Sequence, residues 1–557
     1  MKFFCAAVFF LAFLTFSVVC EQPNAGVPLK NLSLLSRGIN LNDWFTPWAQ
    51  PDAYMDAFHP EEAAFLKHAG FTVCRLPLAP DLLFDRNDPG VLSSNLRYVD
   101  HSVRLLLKAG LAVILDPIHG SSSDTAWERR LAHEPAFLTK VEIYWTALAR
   151  HYAKFSSDRI FFEVMNEPHL TAVEKISPDW WTAVQQALVA AIRKGAPFNT
   201  IIATGEKWGS IDGLVELKPL PERNVVYSFH WYEPFTFTHQ GAAWTGPIQA
   251  ELHDVPYPSS PGAVDSLAAS LADSRARQQV LNYGKERWDI NKIRAGLARA
   301  SAWGQRNKVP VFCGEFGSYR KASSENDRVR WLHDVRRVLE SLGIGWAMWD
   351  YETDFGLVTF SEPFWRRGPR VDTDYLRALG LDTRQTLSFA SGDPTLSDFV
   401  TGRVNALTFP VQYWSRLWTR EAGAGTARAI LNADGEVKDL KLKIRTTQDW
   451  ALSSGVRVPV VTGEKLRLSS TASLSGAGSL RLEFVARDKT GRVVNWDFDG
   501  VKVSQGARHS VETGVAAVPQ GVATLEPRWS GRLSADAEVA SLKLERWVNG
   551  EVLPPKS

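Results

Sequence analysis

Thiol chemistry has little to work with here: only four of the 557 residues are cysteine. Cys5 and Cys20 fall in an apolar leader, which leaves Cys74 and Cys313 in two separate expected strands. Strand alternation puts Cys313 on the face of Glu315, and Cys74 on the face opposite Arg75. With both polar side chains inward, the thiols point different ways, so a disulfide is not expected and each reads as a small buried apolar residue. Metal motifs are also missing. There is no His-Glu-x-x-His, no Cys-x-x-Cys and no acidic calcium loop, so no metal is expected. No Gly-x-Gly-x-x-Gly follows the first strand, and no Gly-x-Ser-x-Gly marks an esterase nucleophile, so neither a dinucleotide nor any other cofactor is expected. A dominant charge is lacking too: 63 Lys and Arg against 61 Asp and Glu leave a net charge of +2. That balance gives no reason to expect nucleic acid or an anionic membrane as partner. After residue 19 no apolar run resembles a transmembrane helix, and a monomer is expected.

What is present begins with Met1-Lys2, an apolar run over 3–19, and then Cys20-Glu21-Gln22-Pro23. One positive charge, a short apolar core and small residues at 18 and 20 describe a secretory signal cut after Cys20, with a soluble mature chain from near Glu21. Lipidation at Cys20 fits less well, because Val19 is large for the preceding position. The 21 tryptophans are a surplus; their flat apolar faces suit a protein that stacks sugar-like ligands, although most serve as core.

A chain of 557 residues exceeds what one core usually supports, so two domains are expected. From 26 to 387, short apolar runs alternate with helical patterns. Strands are expected at 38–41, 71–76, 111–116, 160–166, 200–205, 225–231, 310–316 and 344–349. Helices are expected at 60–69, 98–108, 141–154, 180–194, 290–307 and 327–342. Continuous apolar strands alternating with helices imply a parallel sheet under helices, and this count favours a closed (β/α)8 TIM barrel. The long connection over 231–290 is a candidate cleft wall. Composition shifts near 388–395. Beyond it, alternating runs such as 465–468, 479–485 and 540–547, separated by turn signals, read as an all-β sandwich over 399–552.

Polar residues stand at the carboxyl ends of the expected strands: Arg75, His119, Asn166, Glu167, His230, Tyr232, Glu315, and with them Trp349. In a barrel that end carries the active site. Two of them are carboxylates, Glu167 and Glu315, and a carboxylate pair with no metal signature suits acid–base chemistry at an acetal. Asn166-Glu167-Pro168, Gly314-Glu315-Phe316-Gly317, His230-Trp231-Tyr232, Arg75 in Cys-Arg-Leu-Pro and Trp349 in Trp-Ala-Met-Trp resemble, in this order, glycoside hydrolase family 5. The resemblance covers roughly 38–349. It implies that Glu167 is the general acid and later the base, and that Glu315 is the nucleophile of a covalent glycosyl-enzyme. It further implies that Arg75 and Tyr232 hold Glu315, that Asn166 serves the sugar 2-hydroxyl, that His119 and His230 are supporting donors, and that Trp349 is the floor of the −1 sugar. One departure stands out. Asp116-Pro-Ile-His119 is one residue longer than the family spacing, which a local bulge would reconcile.

Trp44, Trp48, Trp208 and Trp244 are further platform candidates. The C-terminal region resembles a jelly-roll carbohydrate-binding module, for which Trp414, Trp418, Trp450, Trp496 and Trp529 are candidate sugar contacts. The expectation is a secreted retaining endo-β-glucanase acting on a polysaccharide. The alternatives are a β-mannanase, an exo-β-1,3-glucanase, or a polysaccharide-binding protein without turnover.

Overall fold

The computed structural model describes residues 26–42, 45, 58–84, 90–92, 96–117, 125–177, 179–362, 367–389, 396–411, 414, 416–421, 423–431 and 437–547. Eight strands close a parallel barrel in sequence order: β1 (Arg37–Asn40), β2 (Val73–Leu78), β3 (Ala112–Pro117), β4 (Ile160–Glu163), β5 (Ile201–Thr204), β6 (Val225–Trp231), β7 (Val311–Phe316) and β8 (Gly345–Met348). All eight expected strands are present.

Each strand is buried on both faces, which explains its unbroken apolar run. Inward residues Val73, Ala112, Ile114, Phe161, Ile202, Val226, Phe312 and Ala347 form an apolar plug, closed from below by Val27, Leu32, Leu34 and Leu35 around the helix Leu29–Leu34. Outward residues, Cys74 and Cys313 among them, join the larger core beneath the helices. The helix Pro60–Ala69 shows how the chain punctuates these units: Pro60 and two acids open it, and Gly70 at φ 109° closes it in a left-handed turn. The helix expected from 141 starts six residues earlier, at Pro135, whose fixed φ suits a first turn. The connection after β6 carries helices at Phe235–Thr238, Pro247–Glu251, Pro261–Ser270 and Ser274–Glu286. Among the described residues, no helix is long and apolar enough to cross a membrane.

After the barrel, strands from Ala406–Phe409 to Leu542–Arg546 pair antiparallel in two sheets, a sandwich-like arrangement. Trp414, Trp450 and Trp529 are buried there, which removes them as sugar platforms; Trp418 and Trp496 are exposed.

Candidate active site

Above the apolar plug the inward positions of the strands turn polar. Arg75 follows Val73 on the inner face of β2 and is fully buried. An unpaired guanidinium there would be very costly. Its donors are all engaged. Nε and Nη2 donate to Glu163 Oε2 and Oε1 at 2.7 and 3.0 Å, a two-pronged clamp. Nη1 donates to Glu315 Oε1 at 2.7 Å and to Asn40 Oδ1 at 3.0 Å, and Nη2 to Asn166 Oδ1 at 2.9 Å. Asp116 Oδ2 lies 2.9 Å from Nη2, but without hydrogen-bond geometry. Asn40 ties three strands together, since its Nδ2 donates to the carbonyls of Gly314 and Met348, both at 3.1 Å.

Glu315 reaches this site through an irregularity. Phe229 pairs with Cys313 but His230 pairs with Glu315, so Gly314 is an extra residue on β7. The bulge turns Glu315 inward while Cys313 stays in the outer core, so the two do not share a face as simple alternation predicts. Both thiols therefore face the helix layer, from β2 and β7, and both are free. Glu315 Oε2 accepts from the Tyr232 hydroxyl at 2.8 Å. Burial raises the Glu315 carboxyl above its ordinary value, and His230 and Arg75 pull it back toward the ionised form. Burial and the nearby Glu315 and Glu167 hold the Tyr232 phenol well above its usual value, so it remains a donor.

β4 ends at Glu163, three residues before the expected end. Backbone bonds from Val164 to Ile202 and from Asn166 to Pro117 carry the chain a little further. Glu167 then adopts φ 28°, a left-handed conformation unusual for a side chain of this size. Its Oε1 lies 2.7 Å from His230 Nδ1, which is 3.5 Å from Glu315 Oε2. An oxygen of Glu167 and one of Glu315 thus lie within 4.8 Å of each other, with the imidazole between them. Burial would lower the His230 value, but the charges of Glu315 and Glu167 and the bond to Glu167 outweigh it, so the imidazole titrates above its ordinary value.

These groups open into a cleft of about 1150 Å³ that Trp349, Trp208 and Trp244 also line. Trp349 is part-exposed and packs beside Tyr232, Tyr319 and Phe355. Trp208 lies flat on His169, centroids 4.8 Å apart and planes 15° apart. Glu128 fixes His169 by accepting from its backbone N–H at 3.0 Å. Of the expected site residues, Arg75, Asn166, Glu167, His230, Tyr232, Glu315 and Trp349 converge; His119, Trp44 and Trp48 lie outside the described residues. Sequence reasoning missed Glu163, Asn40, and Asp116 as a partner of Arg75. A signal existed for each, because a polar residue inside an otherwise apolar buried strand needs a partner.

A (β/α)8 barrel that carries a carboxylate pair on its carboxyl face is an architecture shared by glycosidases. Residues 32–354 match the family Cellulase (glycosyl hydrolase family 5), and the chain belongs to that family. Endoglucanase 3 of Fibrobacter succinogenes is 28% identical over 346 residues, 59% of this chain and 51% of that protein. The chain thus spans about half the length of that relative. Endoglucanase C of Acetivibrio thermocellus is 27% identical over 322 residues, 57% of this chain and 90% of that one. A crystal structure of a hyperthermophilic endo-β-1,4-glucanase in complex with substrate is 25% identical, with a TM-score of 0.50, covering 63% of this chain and 98% of its own.

Proposed function

We propose that this protein is a secreted, retaining endo-β-1,4-glucanase that acts as a monomer without a cofactor. The observation that carries the mechanism is the spacing of Glu167 and Glu315, with oxygens within 4.8 Å. Retaining glycosidases hold their carboxyl groups about 5–5.5 Å apart, whereas inverting ones need roughly 6.5–9.5 Å to admit a water. In the first step Glu315 attacks the anomeric carbon while Glu167 protonates the departing glycosidic oxygen. In the second, Glu167 takes a proton from water, which attacks the same carbon and releases Glu315. Arg75 and Tyr232, each on a different oxygen of Glu315, aim the nucleophile. Arg75 occupies Asn166 Oδ1, so what Asn166 offers a sugar 2-hydroxyl is its amide NH2. Trp349 lies under the −1 sugar, with Trp208 and Trp244 as platforms further along the cleft. The endo-β-1,4 preference rests on the endoglucanase relatives. The apolar leader directs export, and the C-terminal β region acts as a carbohydrate-binding companion.

The test is a hydrolysis screen on carboxymethyl-cellulose, mixed-linkage glucan, laminarin, xyloglucan and mannan, with product size and the first-formed anomer read by NMR. Short oligomers from an early drop in polymer length and a β-configured product are expected from the first two substrates. Glu315→Ala lowers kcat on the order of 10⁴-fold or more; survival of hydrolysis in that variant refutes the nucleophile assignment.

A further inference from the structure

A second pocket, of about 600 Å³, lies on the connection after β6, between the loop 233–236 and the helix Ser274–Glu286. Its size is within the range of small-ligand sites, roughly 300–1,000 Å³. It adjoins the catalytic cleft, and Glu233 and Phe235 line both cavities. Glu233 directly follows Tyr232, the donor to Glu315.

The chemistry of the lining is that of a polyol site. Gln278, Gln279 and Asn282 project from one side of the helix, and each is pinned through part of its amide. Gln278 Nε2 donates to Asn282 Oδ1 at 2.9 Å, and Gln279 Nε2 donates to Thr236 Oγ1 at 3.1 Å. That leaves Gln278 Oε1 and Gln279 Oε1 as acceptors and the Asn282 NH2 as a donor, in fixed orientations. The charged groups at the rim are matched: Arg275 is held by Asp273, and Glu286 accepts from Trp288 Nε1 and Lys292 Nζ. An ionic ligand such as a phosphate finds no uncommitted cation there. Glu233 Oε2 accepts from the Phe235 backbone N–H at 3.2 Å, which leaves its other oxygen for a hydroxyl. Phe235 is half-exposed and stacked on His239, centroids 4.1 Å apart, so its ring is a fixed apolar surface between the two cavities.

We infer that this pocket binds a further neutral sugar unit of the polysaccharide whose main chain lies in the catalytic cleft, on the main chain or on a branch. The inference rests on the glucanase reading above.

Two variants test it: Gln278→Ala with Asn282→Ala, which removes two of the four hydroxyl partners, and Asn282→Trp, which fills the space. Both positions are exposed on a helix, and alanine favours helix; thermal melting confirms folding. For each protein, kcat/KM is measured on cellotriose, on linear mixed-linkage glucan and on branched xyloglucan. The expected result is a drop in the polymer-to-cellotriose ratio of about 3- to 10-fold in both variants, carried by KM. A drop on both polymers places a main-chain sugar in the pocket, and a drop on xyloglucan alone places a branch there. An unchanged ratio in both variants, with the wild type active, overturns the pocket assignment alone. A wild type inactive on every β-glucan overturns the glucanase reading beneath it.

Discussion

One guanidinium, Arg75, faces Asp116, Glu163 and Glu315 at the buried floor of the cleft, and a single positive charge cannot neutralise all three. Glu163 and Glu315 take its aligned N–H groups, so Asp116 is left with the desolvation. Burial accordingly pushes the Asp116 carboxyl well above its ordinary value, against the pull of Arg75. An acid raised in the folded state favours folding below its unfolded pKa near 3.8 and opposes it progressively as pH rises toward the folded value. Asp116→Asn, a neutral isostere, is therefore expected to gain stability over the wild type as pH rises above 4, on the order of 1 kcal/mol per pH unit until the folded pKa is reached. Urea melts from pH 4 to 8 read this directly, and a stability difference that does not change with pH would mean Asp116 is ionised in the fold. Glu163 belongs to the same cluster and was readable as an anomaly, a charged residue ending the buried run Ile160-Phe161-Phe162. What the one-dimensional pattern lacked was its partner, 88 residues away on β2.

At the scale of the element, β7 departs from its own period. A strand that alternates strictly sends Cys313 and Glu315 to the same side; the extra residue at Gly314 separates them. Glycine is needed there because a β-carbon would stand 2.6 Å from Ser228 Oγ and 3.1 Å from His230 Nε2. The serine hydroxyl can rotate, but the imidazole is held between the two carboxylates. Gly314→Ala is expected to cost about 1–3 kcal/mol of stability, and to lower kcat more than KM by displacing His230. Wild-type kcat with a normal melting temperature would show that the bulge tolerates a side chain. The strand was legible from its apolar run and the bulge was not, since it is specified by packing against β6 rather than by β7 itself. The same holds for Glu167, whose φ of 28° comes from the path between β4 and the barrel rim.

Across the whole molecule, the tryptophan surplus divides by burial. Trp208 and Trp244 reach the catalytic cleft, and Trp414, Trp450 and Trp529 fill the C-terminal core. Trp496, 60% exposed with the Arg528 guanidinium 5.7 Å from its ring, and Trp418, 51% exposed, are the C-terminal candidates still open to the proposed role of sugar contacts. Trp496→Ala is expected to weaken adsorption to insoluble cellulose by roughly 3- to 10-fold, with pull-down isotherms as the readout and soluble cellotriose turnover measured alongside. Undiminished adsorption in both Trp496→Ala and Trp418→Ala would leave the β region a structural companion.

By itself the sequence determined the order of eight apolar strands, the antiparallel region after them, and the residue types at the strand ends. Those features are local: a period, a turn residue or a proline acts on its near neighbours and leaves a linear trace. Only the tertiary structure decided which carboxylates share Arg75, that Glu315 rather than Cys313 faces inward, which tryptophans meet solvent, and that a second cavity adjoins the cleft. Each of these depends on distances between segments far apart in the chain, which barrel closure sets and no short stretch of sequence encodes.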